Sequence, residues 1–142
     1  KDENYYLIAH DGEEDKIKHF RVDKMGKIQI LNGVKREGAS LFERFDIADY
    51  ANKTFGMYGG QEEVVTLAFE NRFIGVVIDR FGKDVSVRHR DEKHFTVRVK
   101  VAVSGQFFGW LTGLGAGACI VSPKEVSQAY QRHVQAVMAQ YE

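Results

Sequence analysis

The strongest constraint on the fold is a regular alternation of apolar residues in the second half of the chain. Residues 63–69 alternate between polar and apolar side chains, as half-buried strands do, and residues 84–89 and 95–103 do the same. After the first and the third of these runs, apolar residues recur every three or four positions, which predicts two helices. A short apolar run at 118–121 predicts a last strand. The segment therefore has the order strand, helix, strand, strand, helix, strand.

Each predicted helix has a polar residue at its start and a glycine at its end. Asn71 and Gly82 are the expected N-cap and end of the first helix, and Ser104 and Gly115 are those of the second. The expected core consists of the apolar residues that share the inner faces of these elements: Val65, Leu67, Phe69, Ile74, Val77, Ile78, Phe81, Phe95, Val97, Val99, Val101, Val103, Phe107, Trp110, Leu111 and Leu114. This order predicts a ferredoxin-like βαββαβ sandwich.

A further helix is predicted at the C-terminus. Ser122, Pro123 and Glu125 have the pattern of a capping box with proline at the first helical position, so Ser122 is the expected N-cap. The helix carries an apolar stripe, which needs cover from either the sandwich or a second subunit. The stripe consists of Val126, Tyr130, Val134, Val137 and Tyr141.

The N-terminal part predicts a β-hairpin. Two runs rich in aromatic and branched residues flank an acidic loop at residues 11–15, where the chain must reverse for the runs to pair. Strand parity places Phe20 and Val22 on one face and His19 and Arg21 on the other. We expect the first face to pack and the second to present polar groups.

The residues after the hairpin predict a third strand and a connection. Residues 27–31 alternate as a short strand, and Asn32-Gly33 is a strong signal for the turn that ends it. Residues 46–54 predict a helix of about two turns whose first residue, an aspartate, is the N-cap. The glycines that follow predict a domain boundary at residues 56–61.

The hairpin resembles the signature of the WYL domain. Residues 5–7 read Tyr-Tyr-Leu and residues 20–25 read Phe-Arg-Val-Asp-Lys-Met, whereas the family has Trp-Tyr-Leu and a basic strand Phe-Arg-Leu-Asp-Arg-Ile. Tyr5 stands at the position of the family's tryptophan, and Lys18 and Lys24 stand where it usually has arginines.

The second half is similar to the extension that commonly follows a WYL domain. That extension has a helix with a Trp-Leu pair, a glycine, a strand and a proline that opens the last helix. Here these features are Trp110-Leu111, Gly115, residues 119–121 and Pro123. Together the two resemblances cover nearly the whole chain.

The resemblance implies an α+β protein with three parts. Residues 1–36 are expected to be the end of a small barrel of the Sm or SH3 type, residues 37–60 a connecting segment with a short helix, and residues 61–142 the ferredoxin-like extension with its C-terminal helix. In the family, a winged helix-turn-helix precedes the WYL domain and binds DNA. We therefore expect the chain to be the C-terminal part of a longer polypeptide.

The resemblance also implies a transcriptional regulator whose C-terminal part senses nucleic acid or a nucleotide-like ligand. Arginine and lysine donate charge-assisted hydrogen bonds to phosphate, and tyrosine stacks on a base. The expected ligand-binding residues lie on the hairpin: Tyr5, Tyr6, Lys18, His19, Arg21 and Lys24. A surface strand that its cations merely keep soluble is the alternative.

Two other functional classes stay open. The chain is either an architectural dimerisation module without a ligand or a module that holds nucleic acid for a larger effector. Because helix-turn-helix regulators commonly read paired half-sites, we expect a homodimer.

Strand parity predicts a second basic face on the sandwich. The parity follows if Val85 and Val87 point inwards on one strand and Val97 and Val99 on the next. Four cations then share the open face of the sheet: Arg88, Arg90, Arg98 and Lys100. Sheets that bind single-stranded RNA there also place aromatic residues centrally, and none is expected here. A solvated face or an acidic partner is therefore favoured over RNA.

Composition limits the compartment and the classes of partner. Lys and Arg number 20, as do Asp and Glu, so the formal net charge is zero and binding of nucleic acid requires a local patch. The single cysteine excludes an internal disulfide and fits a reducing compartment. No apolar run predicts a membrane span or a signal peptide. We expect a cytoplasmic protein without a membrane partner.

Catalytic, metal and cofactor sites are not expected. The run from Gly113 to Gly117 imitates a dinucleotide loop, but it follows a predicted helix instead of a strand. Cys119 lies on a strand expected to be buried, which predicts an inert small apolar residue. The five histidines lack the spacing of metal ligands. We therefore predict no enzyme, no metal and no cofactor.

Overall fold

The computed structural model describes residues 4–53 and 60–142. The chain divides into two compact units, Lys1–Tyr50 and Ala51–Glu142. Each unit has its own antiparallel sheet, with two strands in the first and four in the second, so the fold is mixed α+β. Neither sheet closes into a barrel in the described part of the chain.

The predicted hairpin is confirmed in the first unit. Strands β1 (Tyr6–Asp11) and β2 (Lys16–Arg21) pair antiparallel. The Asp11 carboxylate accepts hydrogen bonds from the backbone N–H groups of Glu13 and Glu14, at 2.9 and 3.3 Å. An aspartate that binds the backbone two and three residues ahead stabilises a reversal, which is why the chain turns here.

The packed face of the hairpin is the opposite of the one expected. Phe20 and Val22 are 40% and 43% exposed, whereas His19 is partly buried. The His19 ring lies edge-on to the Tyr50 ring, with centroids 5.7 Å apart. The prediction that Phe20 and Val22 pack is wrong. The reason is that Tyr50, which lies 31 positions after His19 in the sequence, packs on the His19 side of the hairpin.

The predicted third strand is also wrong. Immediately after β2 the chain turns through a 3-10 helix, Val22–Lys24, and residues 27–31 form no strand. Ile30 is 90% exposed. The backbone N–H and C=O groups of a strand need hydrogen-bond partners on a neighbouring strand. In the described residues no strand pairs with this segment. The turn predicted at Asn32-Gly33 is present, with Gly33 at φ 76°.

Two short helices follow the hairpin in the chain. The first, α1 (Ala39–Phe42), lies where only a connection was expected, and α2 spans Ile47–Lys53. The Asp46 carboxylate accepts a hydrogen bond from the Asp49 N–H at 3.0 Å, which confirms the predicted N-cap. The predicted end of this helix and most of the predicted domain boundary lie outside the described residues.

The second unit has the predicted order of elements. Its strands are paired antiparallel in the order β4-β5-β3-β6. The strands are β3 (Gln61–Glu70), β4 (Val87–His89), β5 (His94–Val103) and β6 (Ala118–Ser122). The helices are α3 (Ile74–Phe81), α4 (Gly105–Gly113) and α5 (Lys124–Met138).

The core of this unit lies between one face of the sheet and the helices. Its largest fully buried side chains are Phe69, Phe107, Leu67, Leu111, Val65, Val77, Val97 and Val101. All of them were predicted from periodicity, and each contributes about 1.5 to 3 kcal/mol by burial. Ile74 does not join this buried set, because it is exposed at the start of α3.

Two of the predicted helix ends are confirmed. The Ser104 hydroxyl accepts a hydrogen bond from the Phe107 N–H at 3.2 Å, so Ser104 is the N-cap of α4. Gly82 ends α3 with φ 92°, a conformation that favours glycine.

Two predicted N-caps are wrong because their residues bind elsewhere. Asn71 donates its side-chain amide to the Glu92 carbonyl at 2.9 Å and begins a 3-10 turn ahead of α3. Ser122 pairs with Thr66 as the last residue of β6, and Pro123 is the N-cap of α5.

The last helix packs on the core of the second unit with its first half. Val126 is buried in the core, and the Tyr130 ring packs on Phe108 with centroids 5.5 Å apart. Tyr141, beyond the helix end, is 89% exposed. The core of the second unit therefore covers the start of the predicted stripe. No helix in the described ranges combines the length and the apolarity that crossing a membrane requires.

Candidate functional site

The hairpin brings three of the predicted ligand-binding residues onto one face. Tyr6 is the direct cross-strand partner of Arg21, and Ile8 is the partner of His19. Because side chains alternate along a strand, Tyr6, His19 and Arg21 project to the same side. We call this surface the arginine face.

An aromatic cluster forms at the His19 end of the arginine face. The Tyr6 and His19 rings meet edge-on with centroids 6.0 Å apart, and Tyr50 packs between His19 and Phe45. The His19 Nδ1 atom also hydrogen-bonds with the Tyr50 hydroxyl. Burial lowers the pKa of His19, so its ring is neutral at pH 7 and does not add a cation to the face.

The Arg21 guanidinium is held in place by its neighbours. Its Nε and Nη2 atoms donate to the two carboxylate oxygens of Asp23 at 3.0 and 2.8 Å, and Nη2 also donates to the Asn4 side-chain oxygen at 3.1 Å. The hydrogen bonds from Arg21 lower the pKa of Asp23. An incoming phosphate must therefore compete with a carboxylate that is fully ionised at pH 7.

Lys18 does not belong to the arginine face. It lies three residues from Arg21, hence on the opposite side of the strand, where its ammonium pairs with Asp11 and Glu14 at 2.6 Å each. These hydrogen bonds raise the pKa of Lys18. Lys24 ends the 3-10 helix beyond the strand. The predicted cluster of three cations is therefore divided.

The opposite side of the hairpin is an exposed apolar strip. Tyr5 is 83% exposed there, beside three other exposed apolar side chains, Leu7, Phe20 and Val22. A cavity of about 610 Å³ adjoins the strip, and its lining includes Ala9, Arg36 and Phe42. The two tyrosines of the motif thus face opposite sides of the hairpin.

Sequence reasoning missed two residues of the site. Tyr50 hydrogen-bonds with His19 across 31 positions, and Asn4 binds Arg21 across 17. No local pattern in the sequence connects residues so far apart. The N-cap signal at Asp46 predicted the helix that carries Tyr50, but not the partner of Tyr50.

The second basic face lies on the open side of the four-stranded sheet. Arg88 is paired with Thr96, and Arg98 with Thr66, which places both arginines opposite the core, as predicted. Lys100 pairs with Glu62 at 2.6 Å, so this cation is compensated. The described residues contain no group of three or more His, Cys, Asp or Glu side chains that is placed to hold a metal ion.

Comparison with known proteins places the second unit in a family. The family model for the WCX domain matches residues 61–138, which run from β3 to the end of α5. None of the curated proteins matches the chain significantly.

One solved structure similar to the chain is proteasome accessory factor B/C (PafBC) of Arthrobacter aurescens. The two share 17% sequence identity with a TM-score of 0.49, over 99% of this chain and 21% of that chain. The chain thus spans about a fifth of the length of that protein. The family match confirms the resemblance to the extension that follows WYL domains. Since the matched residues make up more than half of the chain, this protein belongs to the WCX-domain family.

Proposed function

We propose that this chain is the ligand-sensing part of a DNA-binding transcriptional regulator and that it binds nucleic acid or a nucleotide-like ligand through the arginine face. Membership of the WCX family, together with the WYL-like hairpin, supports the regulator assignment. DNA is expected to be bound by a winged helix-turn-helix elsewhere in the intact protein.

The observation that carries the proposal is the cross-strand pairing of Tyr6 with Arg21. Directly opposed residues in an antiparallel pair have Cβ atoms about 5 Å apart. A guanidinium and an aromatic ring on such neighbouring side chains complement the phosphate and the base of one nucleotide, because the guanidinium donates to phosphate oxygens and the ring stacks on the base. Asn4 and Asp23 orient the guanidinium before a ligand arrives.

A ligand must displace the Asp23 carboxylate from Arg21 before it can bind the guanidinium. A weakly charged ligand displaces Asp23 from Arg21 poorly, whereas a phosphate has more charge and more acceptor oxygens than a carboxylate. A ligand that also stacks on Tyr6 gains a second contact that free phosphate lacks. We therefore expect the site to prefer nucleotides to inorganic phosphate.

Fluorescence anisotropy tests this preference. A labelled single-stranded DNA of about 12 nucleotides is titrated with the full chain at low salt, and unlabelled competitors are added at constant ionic strength. A nucleoside monophosphate is expected to displace the DNA at a lower concentration than inorganic phosphate does. Equal competition by both, or no saturable binding of the DNA, contradicts the proposal.

We also propose that the second unit is a ferredoxin-like sandwich and that it forms the domain of residues 61–142. The strand order β4-β5-β3-β6, with helices after β3 and β5, is the arrangement expected for two interleaved βαβ units.

A dimerisation module is the second candidate function. Its support is a group of exposed apolar residues at the C-terminal end of the chain, which the core does not cover: Val137, Met138 and Tyr141. Such a group is suited to burial against a second copy of the chain. The two functions are compatible, because the group lies in the second unit and the arginine face in the first.

A further inference from the structure

A small cavity lies on the open side of the four-stranded sheet, at the end where β4 turns into β5. Its volume is about 250 Å³. One wall carries Arg90 and His94, and Cys119 lines it from the edge strand β6. Cys119 is exposed, contrary to the expectation of a buried strand, because it pairs with Ala68 on the face that the helices leave open.

The polar wall of the cavity is built by the turn between the two strands. The Arg90 N–H donates to the His94 carbonyl at 3.1 Å, which fixes the turn. The Arg90 guanidinium makes no ion pair with any residue in the described ranges. It is therefore an available donor at the rim of the cavity.

The one carboxylate of the cavity is already engaged. Asp91 accepts hydrogen bonds from the Lys93 N–H and from His94 Nδ1, both at 2.8 Å. The backbone N–H of Lys93 and the imidazole of His94 lower the pKa of Asp91. Because Asp91 accepts a hydrogen bond from His94 Nδ1, it orients the imidazole, and the neutral ring then offers Nε2 to a ligand as a hydrogen-bond acceptor.

The rest of the lining is small and apolar. Ala68 comes from β3, and Ala116 and Ala118 flank Gly117 at the start of β6. A Cβ atom on Gly117 would lie 2.6 Å from the Phe73 ring and 3.0 Å from the Glu70 carboxylate. The close approach that only glycine allows here brings the two alanines against the sheet and shapes the cavity.

We propose that this cavity binds a small organic phosphate. Its anionic group lies at the Arg90 guanidinium, a hydroxyl of that group donates to His94 Nε2, and a compact apolar body rests on the alanines between that wall and Cys119. A guanidinium suits the tetrahedral group because it presents parallel N–H donors, and the volume admits a body no larger than about one aromatic ring. This site is independent of the proposed function of the arginine face, since all of its residues belong to the second unit.

The thiol provides a direct readout, because Cys119 is the single cysteine of the chain. The full chain is alkylated with iodoacetamide, and the rate is measured against increasing phenyl phosphate at constant ionic strength. Benzyl alcohol serves as the uncharged analogue, and benzoate tests a carboxylate in place of the phosphate. We expect saturable slowing by phenyl phosphate at concentrations up to about 10 mM, and no slowing by benzyl alcohol.

Two matched variants separate the cavity from the general charge of the sheet face. Arg90→Gln is expected to weaken protection by phenyl phosphate at least about tenfold, because it removes the principal donor. Arg88→Gln removes the same charge two residues earlier, at a position on β4 outside the cavity lining, and is expected to leave protection nearly unchanged. Equal weakening by the two variants shows nonspecific attraction and overturns the proposal.

A second measurement covers the case in which the bound ligand leaves the thiol accessible. In ¹⁵N-labelled protein, phenyl phosphate is expected to shift the backbone amide resonances of residues 90–94 and 116–119, and Arg90→Gln is expected to abolish these shifts. Absence of both thiol protection and amide shifts overturns the proposal. Slowing by benzoate equal to that by phenyl phosphate overturns the preference for a phosphate group.

Discussion

Tyr6 and Arg21 face each other directly across the two strands of the hairpin, on the side that Tyr50 packs against through His19. The pairing makes the two side chains start from neighbouring positions on one face of the hairpin. Asp23 and Asn4 already accept hydrogen bonds from the guanidinium in the absence of a ligand. We therefore expect the affinity of this face for a ligand to depend on competition with these partners as well as on contact.

Removing the guanidinium tests the contact. Arg21→Ala is expected to weaken binding of a single-stranded oligonucleotide by about 1.5 to 3 kcal/mol, because a charge-assisted hydrogen bond to phosphate is lost. Anisotropy measures the affinity, and circular dichroism checks that the fold is retained. Lys16→Ala is the control, since Lys16 lies on the same strand, away from the arginine face. An unchanged affinity in Arg21→Ala would rule out Arg21 as a ligand contact.

Removing the Asp23 carboxylate tests whether it competes with the ligand for Arg21. Asp23→Asn keeps the shape of the side chain but takes away the charge that holds Arg21, so oligonucleotide affinity is expected to rise several-fold. The same anisotropy assay measures it. A loss of affinity comparable to that of Arg21→Ala would instead mean that Asp23 is needed to position the arginine.

His19 gives the hairpin a pH dependence. Its pKa in the folded chain is lowered by burial, so the unfolded chain, with a pKa of about 6.5, binds the proton more readily. Stability from the neutral ring is therefore present above about pH 6.5 and is lost as pH falls through the folded pKa. We expect an NMR titration of the His19 ring to have its midpoint below about 6.5. A midpoint at or above that value would contradict the desolvated environment.

Two glycine substitutions are expected to change stability in opposite directions. Gly117→Ala forces a Cβ atom to within 2.6 Å of Phe73 and is expected to lower the free energy of unfolding by about 1 to 3 kcal/mol. Gly109→Ala lies within α4 with open space around it and is expected to raise that free energy by about 0.5 to 1 kcal/mol. Urea denaturation compares both with the wild type. Similar changes in the two variants would argue against the close approach at Gly117.

The C-terminal apolar group is expected to mediate a homodimer. Light scattering over a concentration series should show the mass of the full chain rising towards twice the monomer value. Val137→Glu places a charge in this group and is expected to shift the equilibrium to monomer, whereas Val64→Glu, at an exposed position on the sheet, is expected not to. A strictly monomeric mass at high micromolar concentration would exclude the dimer.

Much of the second unit could be predicted from its sequence alone. The order of its strands and helices, the inward residues such as Leu67 and Phe107, and the cap at Ser104 all follow from patterns only a few residues long. The turn of the hairpin is equally local, because Asp11 binds backbone groups two and three positions ahead. Such features depend on the periodicity of side chains and on hydrogen bonds between residues close in sequence. Both can therefore be inferred from a short stretch of the sequence.

What only the tertiary structure decided depends on residues far apart in the chain. Sequence parity defined two faces of the hairpin, but the arrival of Tyr50 at His19 selected the one that packs. Asn71 and Ser122 have the composition of N-caps, yet Glu92 and Thr66 offer them other partners. The cavity beside Cys119 likewise exists only because distant strands meet. Long-range pairings of this kind are fixed by the packing of the whole unit, and for that reason local patterns do not contain them.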